Sequence, residues 1–66
     1  MDIVVNDQPL QTAEAATVAQ LLEQLGFSGR PVAVEVNLEL VPRGRQAEHR
    51  LAAGDRLEIV TLVGGG

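Results

Sequence analysis

One short amphipathic helix limits what this 66-residue chain can fold into. Thr17 is a favourable N-cap, and Gln20 follows it at the spacing of a capping box. Gly26 stands where a residue of left-handed conformation ends many helices. Between them, an apolar stripe at helical spacing consists of Val18, Leu21, Leu22 and Leu25. These signals predict a helix over residues 18–25, which needs a second layer to cover its apolar side.

Strand patterns occupy most of the remaining chain. Residues 1–5 are apolar and β-branched, and they end at the turn formers Asn6 to Pro9. Residues 10–13 are expected to return as a second, antiparallel strand. After the helix, a connection over residues 27–31 leads to an alternating strand at 32–37. The later segments are a short strand at Leu40-Val41 closed by Pro42, an irregular polar stretch with room for one helical turn at 43–51, and a final strand at 57–63.

This order of elements, ββαβββ, predicts an α+β fold with one main helix packed on one face of a mixed β-sheet. The first and last strands are the expected parallel neighbours at the centre of the sheet, because both are rich in β-branched residues. The arrangement is that of the ubiquitin-like β-grasp fold. We expect one domain over residues 1–63 and a flexible glycine tail over residues 64–66.

The helix covers one face of the predicted sheet and leaves the other face open. The alternation assigns to the covered face Ile3, Val5, Val32, Val34, Val36, Leu57 and Ile59. The open face then carries Val4, Glu35, Glu58, Val60 and Leu62. An apolar patch rimmed by acids is typical of a docking surface, whereas scattered aliphatics are typical of any solvated face. Under the docking interpretation, the partner-binding candidates are Val4, Glu58, Val60 and Leu62.

The glycine tail carries the predicted chemistry. Gly64, Gly65 and Gly66 lack side chains, so the tail is expected to be mobile and extended. Three residues reach about 10 Å, enough to carry the carboxylate of Gly66 down a narrow channel. Adenylation of that carboxylate by ATP, followed by attack of a sulfur donor, would leave a thiocarboxylate. The Mg²⁺ and the phosphate contacts would belong to an activating enzyme, so no cofactor is expected on this chain.

The composition disfavours other classes of function. Cysteine is absent and His49 is the single histidine, so a metal site, a disulfide and a thiol nucleophile are not expected. Ser28 and His49 lie on separate predicted loops, so no catalytic residue is expected and the chain is interpreted as a non-enzyme. The net charge of −4, without lysine, disfavours nucleic acid as a partner. No signal peptide or membrane-spanning run is apparent, which predicts a cytoplasmic protein.

Over nearly its whole length the chain resembles the sulfur carrier proteins of thiamine thiazole biosynthesis, the ThiS family. The segments that carry the resemblance are Val5-Asn6-Asp7, Thr17 to Leu22, Val34 to Asn37, Val41-Pro42-Arg43 and Gly54 to Thr61. The resemblance implies that the terminal glycine, Gly66 here, is adenylated by a ubiquitin-activating-type (ThiF-like) adenylyltransferase and becomes a thiocarboxylate. A thiazole synthase (ThiG-like) would then take the sulfur for the thiazole ring. The resemblance also implies docking through Val60 and Leu62.

Two features depart from that family's pattern. Leu38 follows Asn37 where glycine is common, and leucine disfavours positive φ, so this turn is expected to have another geometry. Gly44 after Arg43 is also unusual and puts the shape of that loop in question.

Related functions stay open as alternatives. The small subunit of molybdopterin synthase shares the fold and the tail chemistry, but the aromatic residue and prolines before its terminal glycines are missing here. A carrier for tRNA thiolation would have the same sequence features as this chain. A non-catalytic β-grasp adaptor would use the open face and leave the tail idle.

Overall fold

The computed structural model describes residues 1–62. Within that range the chain forms five strands, one α-helix and one 3-10 turn. The strands are β1 (Asp2–Val5), β2 (Gln8–Gln11), β3 (Val32–Val36), β4 (Glu39–Leu40) and β5 (Arg56–Thr61). The α-helix α1 spans Val18–Gln24, and the 3-10 turn spans Arg43–Arg45. The predicted order of elements is confirmed.

The strands form one mixed sheet in the order β2-β1-β5-β3-β4. Strands β1 and β5 are parallel, with Val5 opposite Leu57, and the other neighbours are antiparallel. The prediction that the first and last strands pair in parallel is confirmed, and β5 is the central strand. With α1 packed on one face, this is the β-grasp fold.

Helix α1 has the ends that its sequence predicts. The Thr17 hydroxyl accepts from the Gln20 amide at 3.1 Å, and the Gln20 side chain accepts from the Thr17 amide at 2.8 Å. This capping box satisfies two backbone donors that the first turn would otherwise leave free. Leu25 is the C-cap, and Gly26 follows with φ of +84°. The helix therefore ends one residue earlier than predicted, at Gln24.

The core lies between α1 and the covered face of the sheet. Its most deeply buried side chains are Ile3, Val18, Leu21, Val34 and Leu57. Burial of one such side chain contributes about 1.5–3 kcal/mol. Val41 and Leu51 also enter the core, although both come from irregular segments. Val32, predicted on the covered face, is only half-buried at the end of the sheet.

The first hairpin is tighter than predicted. Asn6 and Asp7 form a two-residue turn, with φ of +49° and +66°. Strand β2 therefore begins at Gln8 instead of residue 10, and Pro9 lies inside it, opposite Val4. Proline is accepted there because β2 is an edge strand, so that position does not have to donate to a ladder.

The second hairpin corrects the expectation about Leu38. Asn37 and Leu38 have φ of +51° and +70°, so the turn is the same tight type despite the leucine. The Arg56 amide donates to the Asn37 side-chain oxygen at 3.0 Å, and the Asn37 amide donates to the Arg56 carbonyl at 2.7 Å. These bonds to the central strand impose the geometry that leucine by itself disfavours. Strand β4 is accordingly Glu39–Leu40. Val41 follows it with its side chain in the core, and its amide donates to the Val34 carbonyl at 2.8 Å.

Candidate docking surface and tail base

The open face is the side of the sheet that α1 does not cover. Val4, Glu58 and Val60 occupy alternate positions on β1 and β5, and Leu62 continues the same alternation after β5. Val60 is 57% exposed and Leu62 is 52% exposed, whereas Val4 is half-buried. The four predicted partner-binding residues therefore share one face, and their role in binding stays a prediction.

Two carboxylates lie opposite each other on the open face. Glu35 on β3 pairs directly with Glu58 on β5, and both are exposed. Like charges at opposite positions of an antiparallel pair are unfavourable. Within residues 1–62 the ion pairs involve other groups, so neither carboxylate is neutralised there. Leu40 lies opposite Glu35 on β4, which places an exposed apolar side chain beside this acidic pair.

The base of the tail is held by the centre of the sheet. The Leu62 amide donates to the Pro31 carbonyl at 3.0 Å, one position beyond the β3–β5 ladder. The chain is therefore fixed up to the last residue that the structure describes. The predicted tail residues Gly64, Gly65 and Gly66 lie outside residues 1–62, as does Val63 of the predicted last strand.

Asn6 fixes β5 from the other side. Its side-chain oxygen accepts from the Ile59 amide at 2.8 Å, and its side-chain nitrogen donates to the Ile59 carbonyl at 3.1 Å. The Asn6 backbone amide still donates to the Leu57 carbonyl at 2.9 Å, and the Asn6 side-chain amide continues the parallel pairing beyond that bond. The sequence assigns Asn6 only to a turn, because the bond to Ile59 spans 53 positions and depends on the register of β1 against β5.

A cleft lies between the two hairpin turns, at the end of the sheet where β5 begins. The turn cleft has a volume of about 320 Å³ and is lined by Val4, Asp7, Asn37, Leu38, Arg56, Leu57 and Glu58. Arg56 donates to the Asp7 carboxylate at 3.0 Å across it. Leu38 forms part of the rim and is 88% exposed. The sequence alone did not predict this cleft, although the two turns that flank it, Asn6-Asp7 and Asn37-Leu38, can be found in the sequence by their asparagines.

Ser28 and His49 lie on different connections of the fold. Ser28 lies between α1 and β3, and His49 lies between the 3-10 turn and β5. Neither residue lines the turn cleft. Residues 1–62 contain no group of three or more side chains of the kind that ligate metals. The same residues contain no helix long and apolar enough to cross a membrane.

Comparison with known proteins identifies the family. A family model described as the ThiS family matches residues 2–66. The chain belongs to the ThiS family. The "Sulfur carrier protein ThiS" of Escherichia coli (strain K12) is 38% identical over 66 residues, which cover the whole of both chains. The crystal structure of the thiamine biosynthesis protein (ThiS) from Geobacter metallireducens matches with a TM-score of 0.84, at 32% identity over the whole of both chains.

Some relatives of this ThiS-family chain are much longer. The "Thiazole synthase" of Paramagnetospirillum magneticum is 44% identical over 66 residues, which are all of this chain and 20% of that protein. The "Thiazole synthase" of Magnetococcus marinus is 38% identical over the same share of both. The chain therefore spans about a fifth of the thiazole synthases that it matches.

Proposed function

We infer that this chain is a sulfur carrier protein of thiamine biosynthesis. The observation that carries the inference is the end-to-end match to the E. coli sulfur carrier protein ThiS, on the fold of a solved ThiS structure. In this function the chain is a protein co-substrate and not an enzyme. It contributes a reactive group and a surface that its partner enzymes recognise.

The proposed working group is the carboxylate of Gly66. Its attack on the α-phosphate of ATP would form an acyl-adenylate and release pyrophosphate. A sulfur donor would then displace AMP and leave a thiocarboxylate on Gly66. ATP and Mg²⁺ would be bound by the activating enzyme, which supplies the charge stabilisation that phosphate chemistry needs. Gly64 and Gly65 would let the carboxylate enter a channel too narrow for side chains.

The described part of the chain is well suited to hold such a tail. Asn6 bonds Ile59 from one side of β5, and Pro31 bonds Leu62 from the other. A tail that starts from a fixed point loses less conformational freedom on binding than one that starts from a loose end. We propose that Val4, Glu58, Val60 and Leu62 contact the partner enzymes while the tail is in their active sites.

Two partner enzymes follow from this function. We propose a thiazole synthase (ThiG-like) as the acceptor of the sulfur, because relatives named thiazole synthase contain a region similar to this chain. We propose a ubiquitin-activating-type (ThiF-like) adenylyltransferase as the activating enzyme, because the carboxylate must be activated before sulfur can replace oxygen. Both reactions would take place in the cytoplasm.

Intact-protein mass spectrometry tests the function. The chain, ending at Gly66, is incubated with a ThiF-type enzyme, ATP, Mg²⁺ and a sulfur donor. We expect a mass gain equal to the replacement of one oxygen by sulfur. A chain lacking Gly65 and Gly66 should show no gain, and neither should a chain with one alanine added after Gly66, which keeps every native residue.

An unchanged mass, with the E. coli carrier converted in parallel, would contradict the proposal. A converted chain that fails to support thiazole formation by thiazole synthase would direct the sulfur to molybdopterin or tRNA thiolation instead. Normal partner binding by the chain without Gly65 and Gly66, with no conversion of the full chain, would favour the adaptor function.

A further inference from the structure

We propose that the turn cleft is a second docking site, distinct from the tail and from Val60 and Leu62 of the open face. It would receive an apolar side chain that is flanked by an arginine or lysine on the surface of the activating enzyme. The proposal rests on the sulfur-carrier function above and names a part of that enzyme's recognition surface.

The first argument is the position of Leu38. Its backbone has φ of +70°, a conformation that suits glycine or asparagine far better than leucine. Its side chain is 88% exposed, so packing in the core does not compensate for this backbone strain. Leu40, on the same hairpin, is 65% exposed. A strained residue that presents apolar surface to solvent is explained when a partner covers that surface.

The second argument is charge. The Arg56 guanidinium and the Asp7 carboxylate neutralise each other across the cleft at 3.0 Å. Glu58 also lines the cleft, and it lies opposite Glu35, which adds repulsion between the two carboxylates. The charge left over beside the apolar rim is therefore negative. An arginine or lysine that approaches with an apolar neighbour relieves this repulsion as the rim is buried.

The third argument selects the activating enzyme. An enzyme that binds ATP carries basic groups for its phosphates, and the positive field of those groups attracts a carrier of net charge −4. The cleft lies at the start of β5, and the tail begins beyond its end. Five residue steps separate Arg56 from Thr61, which is about 17 Å along a strand. Two contacts that far apart fix the direction in which the tail enters the active site.

The substitution Leu38→Gly gives the sharpest test. We expect the variant to be more stable than the natural chain, because glycine accepts the positive φ. We also expect the activating enzyme's KM for the carrier to rise about fivefold or more, with its kcat unchanged at saturating carrier. A purely structural role for Leu38 would not separate stability from recognition in this way. An unchanged KM would overturn the proposal.

Charge is tested with Glu58→Gln against Glu23→Gln as the matched control. Both remove one exposed carboxylate, but Glu23 lies on α1, away from the open face. We expect Glu58→Gln to raise the KM roughly tenfold and to weaken its dependence on salt, since a charge pair is lost. Glu23→Gln should change the KM little. Equal effects of the two variants on the KM would mean that only the net charge of the carrier matters, which would overturn the proposal.

The partner is tested with purified thiazole synthase in the same series. The proposal expects its KM for thiocarboxylated carrier to be unchanged by Leu38→Gly. A rise there, with no rise for the activating enzyme, would overturn the assignment. The mass gain at saturating carrier is read separately, so failure of the second docking site and failure of the sulfur-carrier function are distinguishable.

Discussion

The two hairpin turns of the sheet have the same backbone form and opposite chemistry. Asn6-Asp7 and Asn37-Leu38 are both two-residue turns with positive φ at both positions. Each begins with an asparagine whose side chain bonds the central strand β5, one at Ile59 and the other at Arg56. The second positions differ: Asp7 tolerates positive φ and binds Arg56, whereas Leu38 is strained and exposed.

The difference shows which turn position the fold restricts to one residue type and which position accepts several. The first position of each turn is determined by hydrogen bonds to β5, so asparagine is needed in both. The side chain at the second position makes no bond to the β5 backbone, and its residue is free to serve another purpose. Asp7 adds an ion pair to its own sheet, while Leu38 adds surface for something outside it.

The largest expected effect is that of Asn6→Gly. Glycine keeps the positive φ, so the variant removes only the two bonds to Ile59. The Ile59 amide would then lack a partner in a partly buried position, and the free energy of unfolding should fall by about 2 kcal/mol. Urea denaturation followed by circular dichroism measures this change. A loss below about 0.5 kcal/mol would show that the Asn6 side chain does not stabilise the pairing of β1 with β5.

The matched variant Asn37→Gly should have a smaller effect. Its bonds to Arg56 and Asp55 are also about 3.0 Å long, but they lie at the exposed start of β5, where water replaces them. We expect the free energy of unfolding to fall by about 1 kcal/mol in the same urea titration. If the two asparagine variants were equally destabilised, burial would not be the cause of the difference.

Leu38→Gly should act in the opposite direction to both. Relief of the positive φ should raise the free energy of unfolding by about 1 kcal/mol. For a domain of this size, that corresponds to a rise in Tm of about 4–8 °C, measured by differential scanning calorimetry. The control Asp7→Gly should not raise the Tm, because aspartate tolerates the turn and its ion pair is lost. A lower Tm for Leu38→Gly would mean that the leucine stabilises the hairpin.

The smallest expected effect is that of Asp7→Asn. Asparagine keeps the tolerance for positive φ and removes the charge that pairs with Arg56. Both side chains are largely exposed, at 77% and 64%, so the pair should contribute less than about 0.5 kcal/mol. The small difference from the natural chain should vanish in urea titrations at high salt. A larger loss that persists at high salt would indicate that the hydrogen bond from Arg56 to Asp7 stabilises the fold independently of the charge on Asp7.

The sequence predicts the elements of this fold better than their junctions. The helix, the covered face and the parallel pairing follow from local patterns of apolar residues, and the structure confirms them. Leu51 escapes such reasoning because it is an isolated apolar residue in a polar segment, and Val41 because the short strand predicted at Leu40-Val41 does not reveal which of its sides is buried. Only the tertiary arrangement shows that they enter the core.

The candidate site divides in the same way. Alternation along the strands is enough to group Val4, Glu58 and Val60 on one face, because the period of a strand is fixed. The role of Asn6 depends on the register of β1 against β5, which no local pattern reveals. The geometry at Leu38 was predicted wrongly, because intrinsic preference was weighed without the bonds that Asn37 makes to Arg56. The tail stays a prediction, since it lies outside the described residues.

Pro9 has a consequence for how copies of this chain behave at high concentration. The outer edge of β2 would offer N–H and C=O groups to a strand from another molecule, but Pro9 has no N–H to donate. The Gln11 carbonyl on the same strand already accepts from the Gln24 side chain at 2.9 Å. At the other border, β4 is two residues long, too short to template a growing sheet. The sheet is thereby protected against intermolecular strand addition and fibril growth, while its open face stays accessible.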